Sequence, residues 1–276
     1  MNRRNFLATT AAFGAVSLFG MTPANAAKIT NPGIQQYGIR GMVRENMERS
    51  FEQLAALGYK EVELYRLLGK SASEVRTILD QTGLVSPSMH VILDQLIGDK
   101  LKTEIENAHT LGQQYITLAW LQPNERETLD QYKHHIEQFQ KIGEECNKAG
   151  LKFAYHNHEF EFIEIDGVVP FEMMMDQLSS DVFASELDLY WLIDAGKDPL
   201  DYIAKYPGRF PMCHLKDRRN DGKMMNVGKG DVDFDAILSQ ASKAGLKHFF
   251  AEHDKADDEA VFMAESLTAI KSFEIR

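Results

Sequence analysis

The chain is expected to be an α/β protein, a single-domain (β/α)8 barrel, on three observations. Strand-like and helix-like segments alternate eight times, no hairpin joins two strand-like runs, and no Gly-x-Gly-x-x-Gly follows the first strand. Strict alternation calls for a parallel sheet with right-handed crossovers. Eight such units in about 250 residues favour a closed barrel over an open sheet, and the missing glycine fingerprint weakens an open dinucleotide-binding sheet.

Ile34 to Tyr37 reads as the first strand and Asn46 to Leu57 as a helix stopped by Gly58. Tyr59 to Tyr65 alternates as the second strand. Ser73 to Thr82 follows as a helix, with Ser73 as cap and Glu74 in its first turn. Leu84 to His90 is the third strand, Lys100 to Leu111 a helix ending at Gly112, and Tyr115 to Ala119 the fourth strand. A long helix from Glu127 to Lys148 stops at Gly150 and leads into strand five, Lys152 to His156. Phe171 to Leu178 is helical and Ala184 to Asp188 is strand six. Pro199 to Lys205 is helical and Phe210 to Leu215 is strand seven. Asp233 to Ala244 is a helix ending at Gly245, His248 to Ala251 is strand eight, and Glu259 to Phe273 is the last helix.

The first 26 residues read as an address. Arg3 and Arg4 precede Phe6-Leu7, a short uncharged run to Met21 and Ala24-Asn25-Ala26, the pattern of a cleavable export signal of the twin-arginine kind. The apolar run is too short for a membrane span, and no later segment qualifies, so no membrane association is expected after cleavage. The formal net charge is −11, and residues 1–26 carry two arginines and no acid, so residues 27–276 stand at −13. Such a balance argues against a nucleic-acid partner, whose footprint is basic and clustered. With only Cys146 and Cys213, a disulfide is not indicated.

Active sites of this architecture lie at the C-terminal strand ends. Those ends carry Tyr37 and Arg40, Glu63 and Tyr65, His90, Trp120, His156 to Glu161, Glu186 to Trp191, His214 to Asp217, and Glu252 to Asp254. A barrel without chemistry would show one or two titratable groups there; here nearly every strand delivers one. The His/Asp/Glu mixture without a cysteine cluster suits one divalent ion, Mn²⁺, Zn²⁺, Co²⁺ or Fe²⁺, with neighbouring strands each supplying a ligand.

Over essentially all of residues 27–276 the chain resembles the xylose isomerase-like TIM barrels, the sugar phosphate isomerase/epimerase group related to endonuclease IV. The segments that carry the resemblance are Tyr155-His-Asn-His-Glu-Phe-Glu161, Glu186-Leu-Asp-Leu-Tyr-Trp191 with Ala195-Gly-Lys-Asp-Pro199, His214-Leu-Lys-Asp217, and Val227-Gly-Lys-Gly-Asp231. The family holds its metal with a Glu, an Asp, a His and a second Glu from the last four strands. The resemblance therefore implies Asp188, His214 and Glu252 as ligands. Where family epimerases carry the strand-five Glu, this chain has His156, so Glu161 is the expected first ligand, with His158 as the alternative.

The expected chemistry is proton abstraction next to a carbonyl of a sugar or glycoside, with His156, His158, Lys216 and Glu252 as candidate catalytic residues. Tyr37, Glu63, His90, Trp120 and Trp191 are candidate substrate contacts. Reprotonation gives isomerisation or epimerisation, and loss of a neighbouring leaving group gives elimination. Export directs the expectation away from sugar phosphates toward an unphosphorylated substrate, in the manner of exported relatives that resemble 3-keto-glycoside lyases. A non-catalytic periplasmic sugar-binding barrel and an endonuclease IV-like phosphodiesterase are the competing readings, and a homo-oligomer is left open.

Overall fold

The computed structural model describes residues 27–276, so the export signal expected over residues 1–26 lies outside the described residues. Eight parallel strands form the barrel: β1 (Pro32–Gln35), β2 (Glu61–Glu63), β3 (Ser88–Val91), β4 (Tyr115–Leu118), β5 (Lys152–His156), β6 (Ala184–Asp188), β7 (Met212–Leu215) and β8 (His248–Ala251). Their order is β2-β1-β8-β7-β6-β5-β4-β3. Parallel bridges Glu61–Val85 and Leu64–Met89 join β2 to the segment containing β3 and close the ring. The backbone N–H of His90 donates to Leu64 O across this seam at 2.7 Å.

Alternation along each strand decides which side chains enter the barrel. Tyr115, Ala154, Met212 and Phe250, from β4, β5, β7 and β8, form one packed interior cluster. Gly33 is small because Phe250 needs the space: a Cβ there would lie 2.6 Å from the ring. One step nearer the C-terminal ends, the same alternation turns Gln35, Glu63, His90, Glu186 and His214 into a buried polar layer.

The surrounding helices bury apolar stripes against the sheet. In Leu129–Lys148, Tyr132, Ile136, Phe139, Ile142 and Cys146 recur at helical spacing and are buried. Phe139 packs on Phe153, Tyr155 and Phe183 with ring centroids 5.4, 5.8 and 6.0 Å apart. The helix expected from Ser73 begins earlier, at Ala72. Its cap is Ser71, whose hydroxyl accepts from Glu74 N while Glu74 returns a bond to Ser71 N. The helix expected over Asp233 to Ala244 is split into Phe234–Leu238 and Ala241–Ala244.

A hairpin absent from the sequence expectation pairs Asp217–Arg218 with Met224–Met225 outside the barrel. Both cysteines are buried and free. Among the described residues no helix is long and apolar enough to cross a membrane.

Gly143 marks where the long helix meets the chain entering β6. An added Cβ would collide with the Val182 carbonyl and lie 2.8 Å from Val182 Cβ. Alanine ordinarily gains about 1 kcal/mol over glycine inside a helix. Gly143→Ala should nevertheless lower stability by roughly 1–3 kcal/mol through overpacking, read as a lower Tm. An unchanged or raised Tm would show that the approach is looser than described.

Candidate active site and metal centre

β5, β6, β7 and the end of β8 deliver His156, Asp188, His214 and Glu252, all buried, with one ligand atom from each lying within 4.8 Å of the others. Register explains the convergence, because His156 lies opposite Glu186, and Asp188 opposite His214, on neighbouring strands. Asp188 is held from behind: Asn157 Oδ1 accepts its backbone N–H at 3.0 Å, and Asn157 Nδ2 donates to its carbonyl at 3.2 Å. Its Oδ1 caps the following helix by accepting from Trp191 N, which leaves Oδ2 to face His156, His214 and Lys216.

These four residues fit a divalent ion. His214 Nδ1 lies 2.6 Å from Glu252 Oε2 yet has no aligned hydrogen-bond partner. A buried ring nitrogen left without an aligned partner among carboxylates is a place that an ion would fill. Two imidazoles and two carboxylates make a mixed N/O set of the kind that takes Zn²⁺, Mn²⁺ or Fe²⁺.

The electrostatics follow from burial set against close charges. Burial alone would raise the Asp188 carboxyl, but Lys216 and the bonds from His156 and His214 outweigh it and hold it well below the usual range. Glu252 is held low against burial by Lys216 and His214. His214 is the reverse case: burial would strip its proton, and Glu186 and Glu252 retain it. Lys216 is 1% exposed. Its Nζ lies 2.7 Å from Asp254 Oδ1 and 3.3 Å from both Asp188 Oδ2 and Glu252 Oε2, so these carboxylates keep it charged despite burial. His158 is driven well toward the neutral form, first by burial and then by His156 and Lys216.

Above the cluster opens a cavity of about 960 Å³. Tyr37, His90, Trp120, His156, His158, Trp191, Lys216 and Glu252, eight of the residues expected from sequence, line it. Trp191 forms part of its wall beside the Lys216 ammonium, 5.0 Å from the ring centroid. Glu63 does not line it; this residue lies deeper, its Oε2 2.7 Å from His214 Nε2.

Glu161 corrects the expectation of a ligand. Its Oε1 accepts from the Tyr155 hydroxyl and its Oε2 from the backbone N–H of His158, so both oxygens are engaged away from the cluster. His156, from the end of β5 itself, occupies the place expected for it, and His158 reaches the cavity wall. Glu161 instead ties down the turn that presents His158.

Several contributors were not singled out from sequence. Glu186 precedes Asp188 by two residues and so shares its inward face, a spacing that was readable. Asn157, Gln35 and Arg126 carry no such signal, because their partners come from other elements. The Arg126 guanidinium carbon lies over the Phe160 ring, 3.2 Å from its centroid, at the cavity wall. The Val227-Gly-Lys-Gly-Asp231 segment also gains an explanation. The Asp217 carboxylate accepts the backbone N–H groups of Arg218, Gly228, Gly230 and Val232, folding the loop back beside the mouth. A Cβ at Gly230 would strike that carboxylate.

The fold and site together define a parallel barrel with a buried His/Asp/Glu group able to hold a metal ion at the C-terminal strand ends. The sequence profile of the xylose isomerase-like TIM barrel matches residues 51–271, and the chain belongs to that family. It is 22% identical over 223 residues to an inosose dehydratase of Geobacillus kaustophilus, covering 73% of this chain and 70% of that protein. A sugar phosphate isomerase/epimerase of Parabacteroides distasonis superposes with a TM-score of 0.74 at 23% identity, covering 88% of this chain and 94% of that one. The IOLI protein, whose structure holds a zinc atom, superposes with a TM-score of 0.69 at 14% identity, covering 87% and 95%.

Burial pushes the Glu161 carboxyl from its ordinary 4.5 up to about 8, more than its hydrogen bonds pull it down. A value raised in the folded state means that the folded chain binds the proton more tightly. The stability it contributes is full below pH 4.5 and is lost as pH rises through about 8. Glu161→Gln should therefore flatten the fall in Tm between pH 5 and pH 8 relative to the wild type. Parallel Tm profiles for the two proteins would place the titration elsewhere.

Proposed function

We propose that the chain is a metal-dependent enzyme of carbohydrate chemistry that removes a carbon-bound proton next to a carbonyl, and that it completes the reaction by elimination on a 3-keto-glycoside. The observation that carries the reading is the buried set His156, Asp188, His214 and Glu252 at the floor of a cavity with tryptophans in its wall. The inosose dehydratase relative supports elimination, since a dehydratase expels a leaving group.

His156, Asp188, His214 and Glu252 would hold the ion. When bound, it supplies a Lewis acid that stabilises negative charge on a carbonyl oxygen. The chain's own groups divide the remaining work. Lys216, kept charged by three carboxylates, can stabilise negative charge developing on a leaving oxygen, and it is neither a base nor a ready acid. His158 lines the cavity and is held unprotonated, so it is the proposed proton acceptor, and burial together with the Lys216 charge makes it a weak base. Trp120 and Trp191 offer apolar faces for sugar rings. The cavity is at the upper end of the size range for small-molecule sites, with room for a glycoside together with its aglycone. Export by the proposed signal would place the enzyme in the periplasm and its substrate outside the pool of sugar phosphates.

Isomerisation or epimerisation is the second reading, favoured by the likeness to the Parabacteroides isomerase/epimerase. Epimerisation needs acid–base groups on both faces of the substrate. The imidazole at the end of β5 removes the carboxylate that would supply one of them.

Incubating the metal-loaded protein with a 3-keto-glucoside in D₂O and following products by NMR separates the readings. Elimination releases the aglycone, whereas solvent deuterium in an intact glycoside would sink it. Lys216→Met should lower kcat by about 10²- to 10³-fold, the usual worth of a group that stabilises developing negative charge, with a smaller effect on KM. Chelation should abolish turnover, and activity surviving full removal of metal would refute the ion's role.

A further inference from the structure

Arg126 stands in the connection between β4 and the helix Leu129–Lys148, and its bonding sets it apart from the other half-buried arginines. Arg40, Arg76, Arg209 and Arg218 each donate from the guanidinium to a carbonyl or carboxylate of the chain. The Arg126 guanidinium makes no hydrogen bond and no ion pair among the described residues, and its Nε is buried without a partner. The N–H fork of this side chain thus goes unmatched. The buried Glu161 does not serve it, since its oxygens accept from the Tyr155 hydroxyl and His158 N. Glu159, which lines the same cavity, forms no ion pair with it either.

The chain nevertheless fixes where this charge sits. His135 Nε2 donates to Glu125 O at 2.7 Å, Gln131 Nε2 donates to Asn124 O at 2.8 Å, and Gln131 Oε1 accepts from Glu127 N at 2.7 Å. The backbone is therefore held on both sides of Arg126. Its guanidinium carbon lies over Phe160 and 5.5 Å from the ring centroid of Trp120. Aromatic faces attract a cation but offer no oxygen to accept its N–H groups. All three side chains line the cavity. A half-buried guanidinium, positioned yet unbonded, has given up solvation that an oxyanion in the cavity would restore.

We infer that Arg126 is a specificity-determining residue that binds a carboxylate of the substrate, so that the cavity takes an acidic glycoside with the carboxylate on its aglycone. The guanidinium fork matches the two oxygens of a carboxylate. Lys216 does not compete for this role, because Asp188, Glu252 and Asp254 already surround it. Placement on the aglycone follows from the order of the rings. His158 lies 4.7 Å from His156, and Phe160, under Arg126, lies 5.3 Å from His158. A sugar whose carbonyl meets an ion at His156 leaves Arg126 to the group attached to that sugar. Trp120 flanks the same place with an apolar face that suits an aromatic acid. The inference rests on the proposed reading of the cavity as a glycoside site.

The test compares two glucosides that differ in charge and little in shape, para-carboxyphenyl and para-carbamoylphenyl glucoside. Neither carries a keto group, so binding is read apart from turnover. Titration calorimetry with metal-loaded, full-length protein should show the carboxylate held about 10- to 100-fold more tightly. Arg126→Gln should abolish the preference, and Arg126→Lys, which keeps the charge without the fork, should retain part of it. A crystal of the wild type with para-carboxyphenyl glucoside should place the carboxylate on the Arg126 Nη groups, which decides the matter even where a variant fails to fold. Equal affinities in the wild type, or binding of neither glucoside, would overturn the inference. So would a preference that survives in Arg126→Gln or is lost in Arg66→Gln instead. Tighter binding of phenyl glucuronide than of para-carboxyphenyl glucoside would overturn the placement on the aglycone. The same pair in 3-keto form keeps the two failures apart. Turnover of both at equal kcat/KM leaves the enzyme standing without this role for Arg126, whereas a binding preference without turnover sinks elimination and leaves Arg126 its role.

Discussion

Four carboxylates, Glu63, Glu186, Asp188 and Glu252, surround one imidazole, His214, inside the barrel, and none is more than 4% exposed. Like charges at this density in a medium of low dielectric repel strongly unless cations intervene. Lys216 supplies one positive charge from within the chain, and the histidines can supply others only while protonated. A divalent ion held by His156, Asp188, His214 and Glu252, as proposed, would supply countercharge to these carboxylates. The rest of the barrel can be read as the framework that holds these groups at this spacing against their repulsion.

That framework acts at several distances from His214. Hydrogen-bonded register between β5, β6 and β7 brings the ligands level. Asn157 clamps the backbone of Asp188, and the helix beginning at Leu189 takes one of its oxygens as a cap, so a single carboxylate both starts a helix and presents its other oxygen to the site. Asp217 gathers four backbone donors from its own loop, and its neighbour Lys216 is thereby set at the wall of the cavity. Below the polar layer, the cluster of Tyr115, Ala154, Met212 and Phe250 seals the interior from the other end. Water thus meets the charged layer from the cavity side.

Much of this was legible in the sequence, for reasons that also mark where legibility ends. The eight strand–helix units show as apolar periodicity punctuated by glycines, and Gly58, Gly112 and Gly245 do end helices with positive φ. Asp188, His214 and Glu252 could be placed because each stands at or beside the C-terminal end of a strand, and strand ends in a barrel face one mouth. The β5 position was read by chemistry: a carboxylate was sought where the strand presents His156, and Glu161 was nearest along the chain, but the structure brings His156 and not Glu161 into the cluster. Linear proximity could not reveal that the Tyr155 hydroxyl and a backbone amide already engage Glu161. Glu63 was read as a substrate contact because it stands at the end of the second strand, whereas its side chain lies deeper, on His214. Ser71 displaced Ser73 as the cap for a local reason: Glu74 stands three residues after Ser71, the spacing a capping box requires.

The exchange of carboxylate for imidazole at the end of β5 bears on reactivity. A Glu/Asp/His/Glu set, the pattern the resemblance implies for the family, would surround a divalent ion with three negative charges. His/Asp/His/Glu surrounds it with two, because imidazole binds neutral. An ion less neutralised by its ligands draws more charge from a bound carbonyl. Lys216, held among Asp188, Glu252 and Asp254, adds a further positive charge beside the same oxygens. In the proposed enzyme the exchange would give up a carboxylate able to move a proton and would strengthen the electrophile instead. That trade suits a reaction in which one proton leaves and an oxygen departs more than one in which a proton must be returned on the opposite face.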